Sequence, residues 1–271
     1  MKLTNHTMSS SSDDDTDMQR LKHVWTKEQE KLQKQHVKSS YELDFQISGT
    51  FNQPQFSGLN IVAGVDISFF KQDANSAIAT LVILNFPELE IVHTESSIIK
   101  LEHAYIPGFL AFREVPPLLK LLENVKIKSP QFYPQVVLVD GNGVLHPRKF
   151  GLACHLGVAA QIPTIGVAKN LFHFPDLDFG LQDLNQPGEN KKYQPPTPNS
   201  YLSIIGRSGF EYGVAYRGPK SSTKPVFISA GNRVSLEDAI SIVSACSKFR
   251  IPEPIRQADL ISRDLVRQYT T

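Results

Sequence analysis

The order of apolar and polar residues along the chain predicts strands first and then alternating strands and helices. Three apolar stretches, residues 61–70, 77–85 and 89–99, are joined by short polar connections and predict an antiparallel meander. Residues 136–140 form a continuous apolar run that ends in an acid, which is typical of a buried parallel strand. The pattern therefore predicts one α/β domain with a mixed sheet flanked by helices.

Apolar residues at helical spacing predict helices over residues 150–161, 235–249 and 258–269. Ser235 is the expected N-cap of the second of these helices, with Asp238 at the position of a capping box. Another helix should begin close to Glu114, because Pro116 and Pro117 fit best in a first turn, where missing N–H groups cost little. Short strands are predicted at residues 163–168, 201–205, 212–216 and 225–229, and residues 174–200 are predicted to form a long polar loop.

The N-terminal region is expected to contain a tail followed by a helix. Residues 1–20 hold four acidic and two basic side chains and few large apolar ones, so we predict a disordered tail. Leu21, Trp25 and Leu32 then recur at roughly helical spacing among several lysines, which predicts one amphipathic basic helix. Two interpretations of the lysines stay open, a solvated helix face or a surface that contacts nucleic-acid backbone.

Composition and charge exclude several classes of protein. The 271 residues are 41% hydrophobic and 20% charged, which is ordinary for a globular domain. The only two cysteines, Cys154 and Cys246, are far apart, so we expect free thiols in a reducing interior rather than a disulfide scaffold.

No apolar run approaches the roughly 20 residues of a membrane span, and the N-terminus lacks an apolar signal segment. We expect an intracellular protein of the cytoplasm or nucleus, and the formal net charge of +1 argues weakly against coating nucleic acid by bulk charge.

Two aspartates lie where a charge needs an explanation. Asp66 is in the middle of a predicted strand and shares a face with Val62, Gly64 and Ser68. A charge among apolar neighbours is costly unless it is paired or bound to a metal, so a functional acid and a lysine-paired structural acid are both open. Asp140 ends the apolar run of residues 136–140, where open α/β sheets bind their ligands. The alternative for Asp140 is a turn residue ahead of a glycine.

Together with Glu114 and Lys169, these acids indicate a metal-dependent phosphodiesterase. Carboxylates on separate elements can hold two hard cations that activate water and stabilise charge on the phosphate oxygens. Mg²⁺ suits such a site because it takes few protein oxygens and keeps its waters, and Mn²⁺ is expected to substitute for it. No paired Cys/His spacing indicates zinc, and no dinucleotide fingerprint or phosphate loop is present. By its position alone, Glu114 is better explained as an acid that interacts favourably with the dipole of a helix near its start.

Five further motifs give the chain a specific resemblance. They are residues 64–68 (GVDIS), 105–114 (YIPGFLAFRE), 139–148 (VDGNGVLHPR), 151–157 (GLACHLG) and 165–169 (IGVAK), and residues 252–256 (PEPIR) with Ala258 and Asp259 also fit. In this order they resemble the endonuclease V family, the inosine-directed endonucleases with a ribonuclease-H-like fold. The resemblance covers about residues 56–263 and implies one catalytic domain within residues 21–271.

The resemblance also implies roles for individual residues. Asp66 and Asp140 would be the central metal ligands, Glu114 would complete the acidic site, and Lys169 would lie near the scissile phosphate. The segment Tyr105, Ile106 and Pro107 would be a wedge that fills the gap left by a base turned out of the stack, an event that costs a few kcal/mol. The resemblance assigns the remaining substrate contacts to Gly108, Leu110, Gly141, His146, Arg148 and the segment after Lys169.

One position departs from the family pattern. The family usually has His in the segment that reads ISAGNRVS here, at residues 228–235, and this chain has Asn232. If that side chain assists a metal-bound water, Asn is the weaker ligand and cannot take a proton near neutral pH. We therefore expect Asn232 to be a catalytic position at which His would raise the cleavage rate.

The resemblance implies cleavage of the second phosphodiester 3′ to inosine, leaving 5′-phosphate and 3′-hydroxyl ends. The motifs look closest to the animal branch, so we expect inosine-containing single-stranded RNA as substrate, with deoxyinosine DNA as a further one. An inosine-RNA-binding protein that has lost hydrolysis through Asn232 is the main alternative, and an actin-type ATPase or sugar kinase is a weaker one. We expect a monomer that needs neither a membrane nor a protein partner.

Overall fold

The computed structural model describes residues 10–36, 39, 43–73, 75–103, 105–171, 193–219 and 222–270. In these ranges the helices are α1 (Ser10–Gln33), α2 (Leu110–Lys128), α3 (Leu152–Ala160), α4 (Leu236–Ala245) and α5 (Glu253–Thr270). The strands are β1 (Gln46–Thr50), β2 (Gln53–Ser57), β3 (Ile61–Phe69), β4 (Ser76–Asn85), β5 (Ile91–Lys100), β6 (Val136–Asp140), β7 (Thr164–Ala168), β8 (Ser200–Ile205), β9 (Glu211–Arg217) and β10 (Val226–Ala230). None of these helices is both long enough and apolar enough to span a bilayer.

Eight strands form one mixed sheet in the order β5-β4-β3-β6-β7-β10-β9-β8. Strands β3, β6 and β7 are parallel to one another, and all other neighbours in the sheet are antiparallel. The meander of β3, β4 and β5 and the parallel strand at residues 136–140 are therefore confirmed. A separate hairpin of β1 and β2 precedes β3, in a segment for which no strand was predicted.

Helices cover both faces of this sheet. Because side chains alternate along a strand, Ala63 and Val65 of β3 face a cluster that includes α2 and α3. Val62 on the same strand faces the other cluster, which includes residues of α4 and α5. Burial on both faces explains why β6 is apolar throughout, and it leaves the carboxyl ends of β3 and β6 as the place where polar side chains emerge.

Two predicted helix starts were wrong. Helix α2 begins at Leu110, so Pro116 and Pro117 lie in its interior rather than in its first turn. The first turn is held by tertiary packing, since Ala111 is buried and Phe112 stacks on Trp25 with ring centroids 4.9 Å apart. That packing offsets the backbone hydrogen bonds that two prolines remove. Helix α5 begins at Glu253, well before residue 258, with Pro254 in its first turn.

Helix α1 also begins earlier than its apolar spacing indicated. It starts at Ser10, so residues 10–20, which were predicted to belong to a disordered tail, are helical. Residues 1–9 of the predicted tail, and residues 174–192 of the predicted loop, lie outside the described residues. Ser235 caps α4 as predicted, accepting a hydrogen bond from the backbone N–H of Asp238 at 3.1 Å.

Candidate active site

Asp66 and Asp140 lie side by side at one edge of the sheet. Strands β3 and β6 are adjacent and parallel, and Val65 is in register with Val139. The next residue on each strand is therefore an aspartate, just past the paired stretch of β3 and β6, at the end of β6 and three residues before the end of β3. The sheet topology brings together the two acids that the sequence had singled out separately.

A third aspartate completes the cluster and was missed as a site residue. One carboxylate oxygen each of Asp66, Asp140 and Asp259 lies within 4.8 Å of the others. Asp259 comes from α5, which packs closely against β3 because position 64 is glycine. A Cβ at Gly64 would lie 2.2 Å from the carbonyl oxygen of Pro254. Gly64 therefore allows α5 to pack directly against β3. The only sequence signal for Asp259 was its place in the C-terminal family motif.

The carboxylate of Asp66 is buried and held by hydroxyl groups. Ser262 donates to Asp66 Oδ2 at 2.7 Å from α5, and Ser68 donates to the same oxygen at 3.2 Å. Burial raises the pKa of Asp66 to about 6, with the charge of Asp140 adding to the effect and the Ser262 hydrogen bond opposing it. A bound cation would favour the ionised form that burial disfavours.

Glu114 faces the same region from α2. Burial, followed by the negative charges of Asp66 and Asp140, raises the pKa of Glu114 to about 8. Its carboxyl lies outside the three-acid group, although it is close enough for those charges to act on it. Four carboxyl groups and no His or Cys make a donor set of oxygens alone, which fits Mg²⁺ or Mn²⁺ better than zinc.

Basic side chains balance the three aspartates. Lys169 Nζ lies 2.6 Å from Asp140 Oδ2 and 3.0 Å from Asp259 Oδ1. Arg263, one turn along α5, lies 2.9 Å from the same oxygen of Asp259. Burial of Lys169 favours its neutral form, but the two carboxylates outweigh burial and raise the pKa of Lys169. Lys169 is thus held charged at the mouth of the acid cluster, as a phosphate ligand would require.

A cavity of about 240 Å³ opens beside the acids. Tyr105 stands at its wall and is half exposed. Most of the predicted substrate contacts do line the cavity, together with other residues that were not predicted to line it. The lining includes Gly108, Leu110, Gly141 and His146 as predicted, Asn170 in the predicted segment after Lys169, and Gln29, Asp140, Asn142 and Lys169 in addition.

Three other predicted substrate contacts do not line the cavity. Ile106 is buried in a cluster with Trp25 and Phe109, so its side chain anchors the loop rather than facing a substrate. Pro107 is exposed outside the cavity. Arg148 lies behind the wall, where it donates to the Gly108 carbonyl oxygen at 2.5 Å.

His146 supports the cavity wall as a neutral ring. Burial, followed by the charge of Arg148, lowers the pKa of His146 to about 3. The backbone N–H of Arg148 donates to His146 Nδ1 at 3.2 Å, so the neutral ring carries its proton on Nε2. Nε2 then donates to the Gly108 carbonyl oxygen at 3.1 Å. His146 is therefore a hydrogen-bond donor to the loop and not a proton acceptor for catalysis.

Asn232, which was predicted to be catalytic, lies in the core and not beside the acids. Its side-chain amide donates to the Gly157 carbonyl oxygen at 2.9 Å, and its backbone pairs with Thr164 at the start of β7. Asp140 is in register with Val167, three residues further along β7, or roughly 10 Å at the rise of a strand. Asn232 is 1% exposed and ties two core segments together.

The chain is similar to proteins of one family along most of its length. Residues 42–260 match the family model described as Endonuclease V. A human Endonuclease V is 46% identical over 245 residues, which is 90% of this chain and 83% of the relative. A crystal structure of human ENDOV has a TM-score of 0.79 at 43% identity and covers 92% of this chain and 99% of that one. A Ciona intestinalis Endonuclease V, in complex with a 24mer DNA containing an inosine followed by a ribo-adenosine, has a TM-score of 0.77 at 32% identity, covering 93% and 99%.

Proposed function

Because the chain belongs to the endonuclease V family, we propose that it is a divalent-cation-dependent endonuclease for inosine-containing single-stranded RNA. The observation that carries this proposal is the position of Asp140, which belongs both to the acid cluster and to the wall of the cavity. A base held in that cavity has its own phosphodiester chain beside the carboxylates. The cluster and the cavity thus serve as one site.

The acids and Lys169 account for the hydrolytic half of the proposal. Asp66, Asp140 and Asp259 would hold the cation or cations, with Glu114 completing the set from α2. Bound divalent cations supply an activated water and stabilise charge on the attacking and leaving oxygens. Lys169 would bind a non-bridging phosphate oxygen at the edge of the cluster. Hydrolysis with the 3′ oxygen as leaving group produces 5′-phosphate and 3′-hydroxyl ends.

The cavity accounts for the base-directed half of the proposal. Hypoxanthine offers a carbonyl oxygen and a ring N–H, which backbone groups around Gly108 and Gly141 can bind without a charged side chain. Tyr105, which is 50% exposed, can stack on the bases that remain when the target base turns out. Stacking of this kind contributes about 1–3 kcal/mol per base, comparable with the cost of extruding a base.

A basic groove continues from the acids along α5. Lys71, Arg263 and Arg267 line it beside Asp66 and Asp259. These side chains would contact phosphates on one side of the inosine, and we propose that this is the 3′ side, where the second phosphodiester would be cleaved. Such contacts do not distinguish RNA from DNA. The preference for RNA is supported by the Ciona complex, in which a ribonucleotide follows the inosine.

One cleavage assay tests these points together. Three labelled strands of one sequence carry a single inosine in RNA, in DNA, or in DNA with one ribonucleotide directly 3′ to the inosine, and a fourth RNA carries guanosine instead. We expect cleavage in Mg²⁺ or Mn²⁺ at the second phosphodiester, fastest for the RNA and the mixed strand, and none for Asp140→Asn. Equal cleavage of the guanosine strand would contradict the base specificity, and equal rates on DNA would contradict the RNA preference. A shifted band without any product would favour an inosine-binding protein.

A further inference from the structure

Helix α1 forms part of the wall of the base cavity, although it precedes residues 42–260, which match the family model. Gln29 lines the cavity and is only 1% exposed. One turn earlier, Trp25 packs against Phe109 and Ile106, the residues that flank the Gly108 turn. The helix is therefore seated against the loop that carries Tyr105.

Both ends of the Gln29 amide are used to hold other parts of the cavity wall. Gln29 Nε2 donates to the carbonyl oxygen of Phe150 at 2.7 Å. Gln29 Oε1 accepts from Arg148 Nε at 2.5 Å. Gln33, on the next turn, donates to the Arg148 carbonyl oxygen at 2.7 Å. Helix α1 thereby fixes both the side chain and the backbone of Arg148.

Arg148, held by α1, in turn contacts the loop that carries Tyr105. Its guanidinium donates to the Gly108 carbonyl oxygen at 2.5 Å and lies over the Phe109 ring, 4.1 Å from the centroid. The Gly108 backbone is left-handed, with φ of +80°, and a Cβ there would lie 3.0 Å from the guanidinium. Gly108 is thus held in a conformation that Arg148 and His146 stabilise by bonding the same carbonyl oxygen.

We propose that Gln29 and Arg148 are positioning residues that fix the Tyr105–Gly108 loop for an extruded hypoxanthine. This inference rests on the proposed function, and it assigns part of the base specificity to a helix that precedes the matched region. A loop that is already ordered loses little freedom when the base enters, whereas a loose loop must be ordered at that moment. We call the contacts from Gln29 through Arg148 to the Gly108 carbonyl the clamp. Loss of the clamp should therefore weaken substrate binding and inosine selectivity much more than it lowers the cleavage rate of the bound complex.

The test compares Gln29→Met, Gln29→Glu and the matched control Glu30→Gln, an exposed acid next to it on α1. Met keeps the length of the side chain but cannot bond Arg148, whereas Glu keeps the acceptor for the guanidinium. For Gln29→Met we expect KM for the inosine RNA to rise about tenfold or more, as for loss of a hydrogen bond to a charged group. We expect kcat to change less than about twofold and selectivity over the guanosine strand to fall. Gln29→Glu should recover the part of the loss that depends on the Arg148 guanidinium but not the hydrogen bond to Phe150, and Glu30→Gln should match wild type.

A second measurement does not depend on catalysis. Trp25 is the only tryptophan of the chain and packs on the loop, so its fluorescence can follow binding of inosine RNA in Ca²⁺. We expect a weaker Kd for Gln29→Met and for Arg148→Lys, and a Gln29→Met/Arg148→Lys double variant no weaker than Arg148→Lys alone. If Gln29→Met does not fold, Arg148→Lys carries the same comparison.

The outcomes separate the two proposals. Absence of cleavage by wild type would overturn the proposed function, while the fluorescence titration would still test the clamp. Normal cleavage by wild type, with unchanged KM, Kd and selectivity in Gln29→Met and Arg148→Lys, would overturn the positioning role. Fully additive losses in the double variant would also overturn it, because residues that act as one unit are not additive.

Discussion

Glu114 provides a direct test of the acid cluster, because its burial should make the metal-free protein lose stability as the pH rises. The side chain is buried on α2, and burial together with the charges of Asp66 and Asp140 raises its pKa from 4.5 to about 8. Replacing Glu114 with Gln keeps the shape of the side chain and removes the titrating group.

The size of the effect follows from the two pKa values. An acid with a higher pKa in the folded protein stabilises the fold fully below its unfolded pKa, and this contribution is lost as the pH rises through the folded pKa. For Glu114 the window runs from about pH 4.5 to about pH 8. Each pH unit within it costs the folded state about 1.4 kcal/mol, so Glu114 alone should lower the unfolding free energy by about 3 kcal/mol between about pH 4.5 and about pH 7. Glu114→Gln should lack this loss and keep only the smaller one from Asp66, whose pKa is also raised by burial.

Urea unfolding in EDTA at about pH 5 and about pH 7 measures the difference, with Glu123→Gln as control. Glu123 is an exposed acid on the same helix, so its variant should follow wild type. In EDTA at the higher pH, Glu114→Gln should have a higher unfolding free energy than wild type. Excess Mg²⁺ should reverse this order, because a cation bound to the native state stabilises it by mass action. The same pH dependence in wild type and Glu114→Gln would refute the reasoning that burial raises this pKa.

Three other substitutions test the placement of single residues. Asp259→Asn should lower the cleavage rate at least about a hundredfold in Mg²⁺, the upper range for disturbing a metal-site shell, and near-normal cleavage would remove Asp259 from the site. Asn232→His should leave the cleavage rate per folded molecule unchanged. It should lower the unfolding free energy by about 1–3 kcal/mol, because the Gly157 carbonyl loses its buried donor. A raised cleavage rate would support a catalytic role for this position. Gly64→Ala should lower both the melting temperature and the cleavage rate. The added methyl group would overlap the Pro254 backbone and cost about 1–3 kcal/mol of stability. Normal values for both measurements would contradict the close packing of α5 on β3.

Much of the fold was predictable because the relevant signals are local. The apolar run of residues 136–140 has to be a strand buried on both faces, and its terminal acid has to emerge at the sheet edge. Ser235 and Asp238 mark a helix start through their own hydrogen bonds, which depend on residues three apart in the chain. The acids Asp66 and Asp140 could be singled out for the same reason, since each interrupts an apolar pattern in its own strand.

The tertiary structure decided what those residues contact. Asp259 joins the acids only because Gly64 lets α5 approach β3, and only the fold shows that the Asn232 amide bonds the Gly157 carbonyl in the core. The role of α1 is also non-local, since Gln29 meets Arg148 across 119 residues of chain. The sequence by itself determined the strands of the central sheet, the acids Asp66 and Asp140 and the family motifs, because periodicity and composition act over a few residues. The place of Asp259 in the acid cluster, the contacts that hold Gly108 and the start of α2 depended on packing between distant segments, which no local pattern encodes.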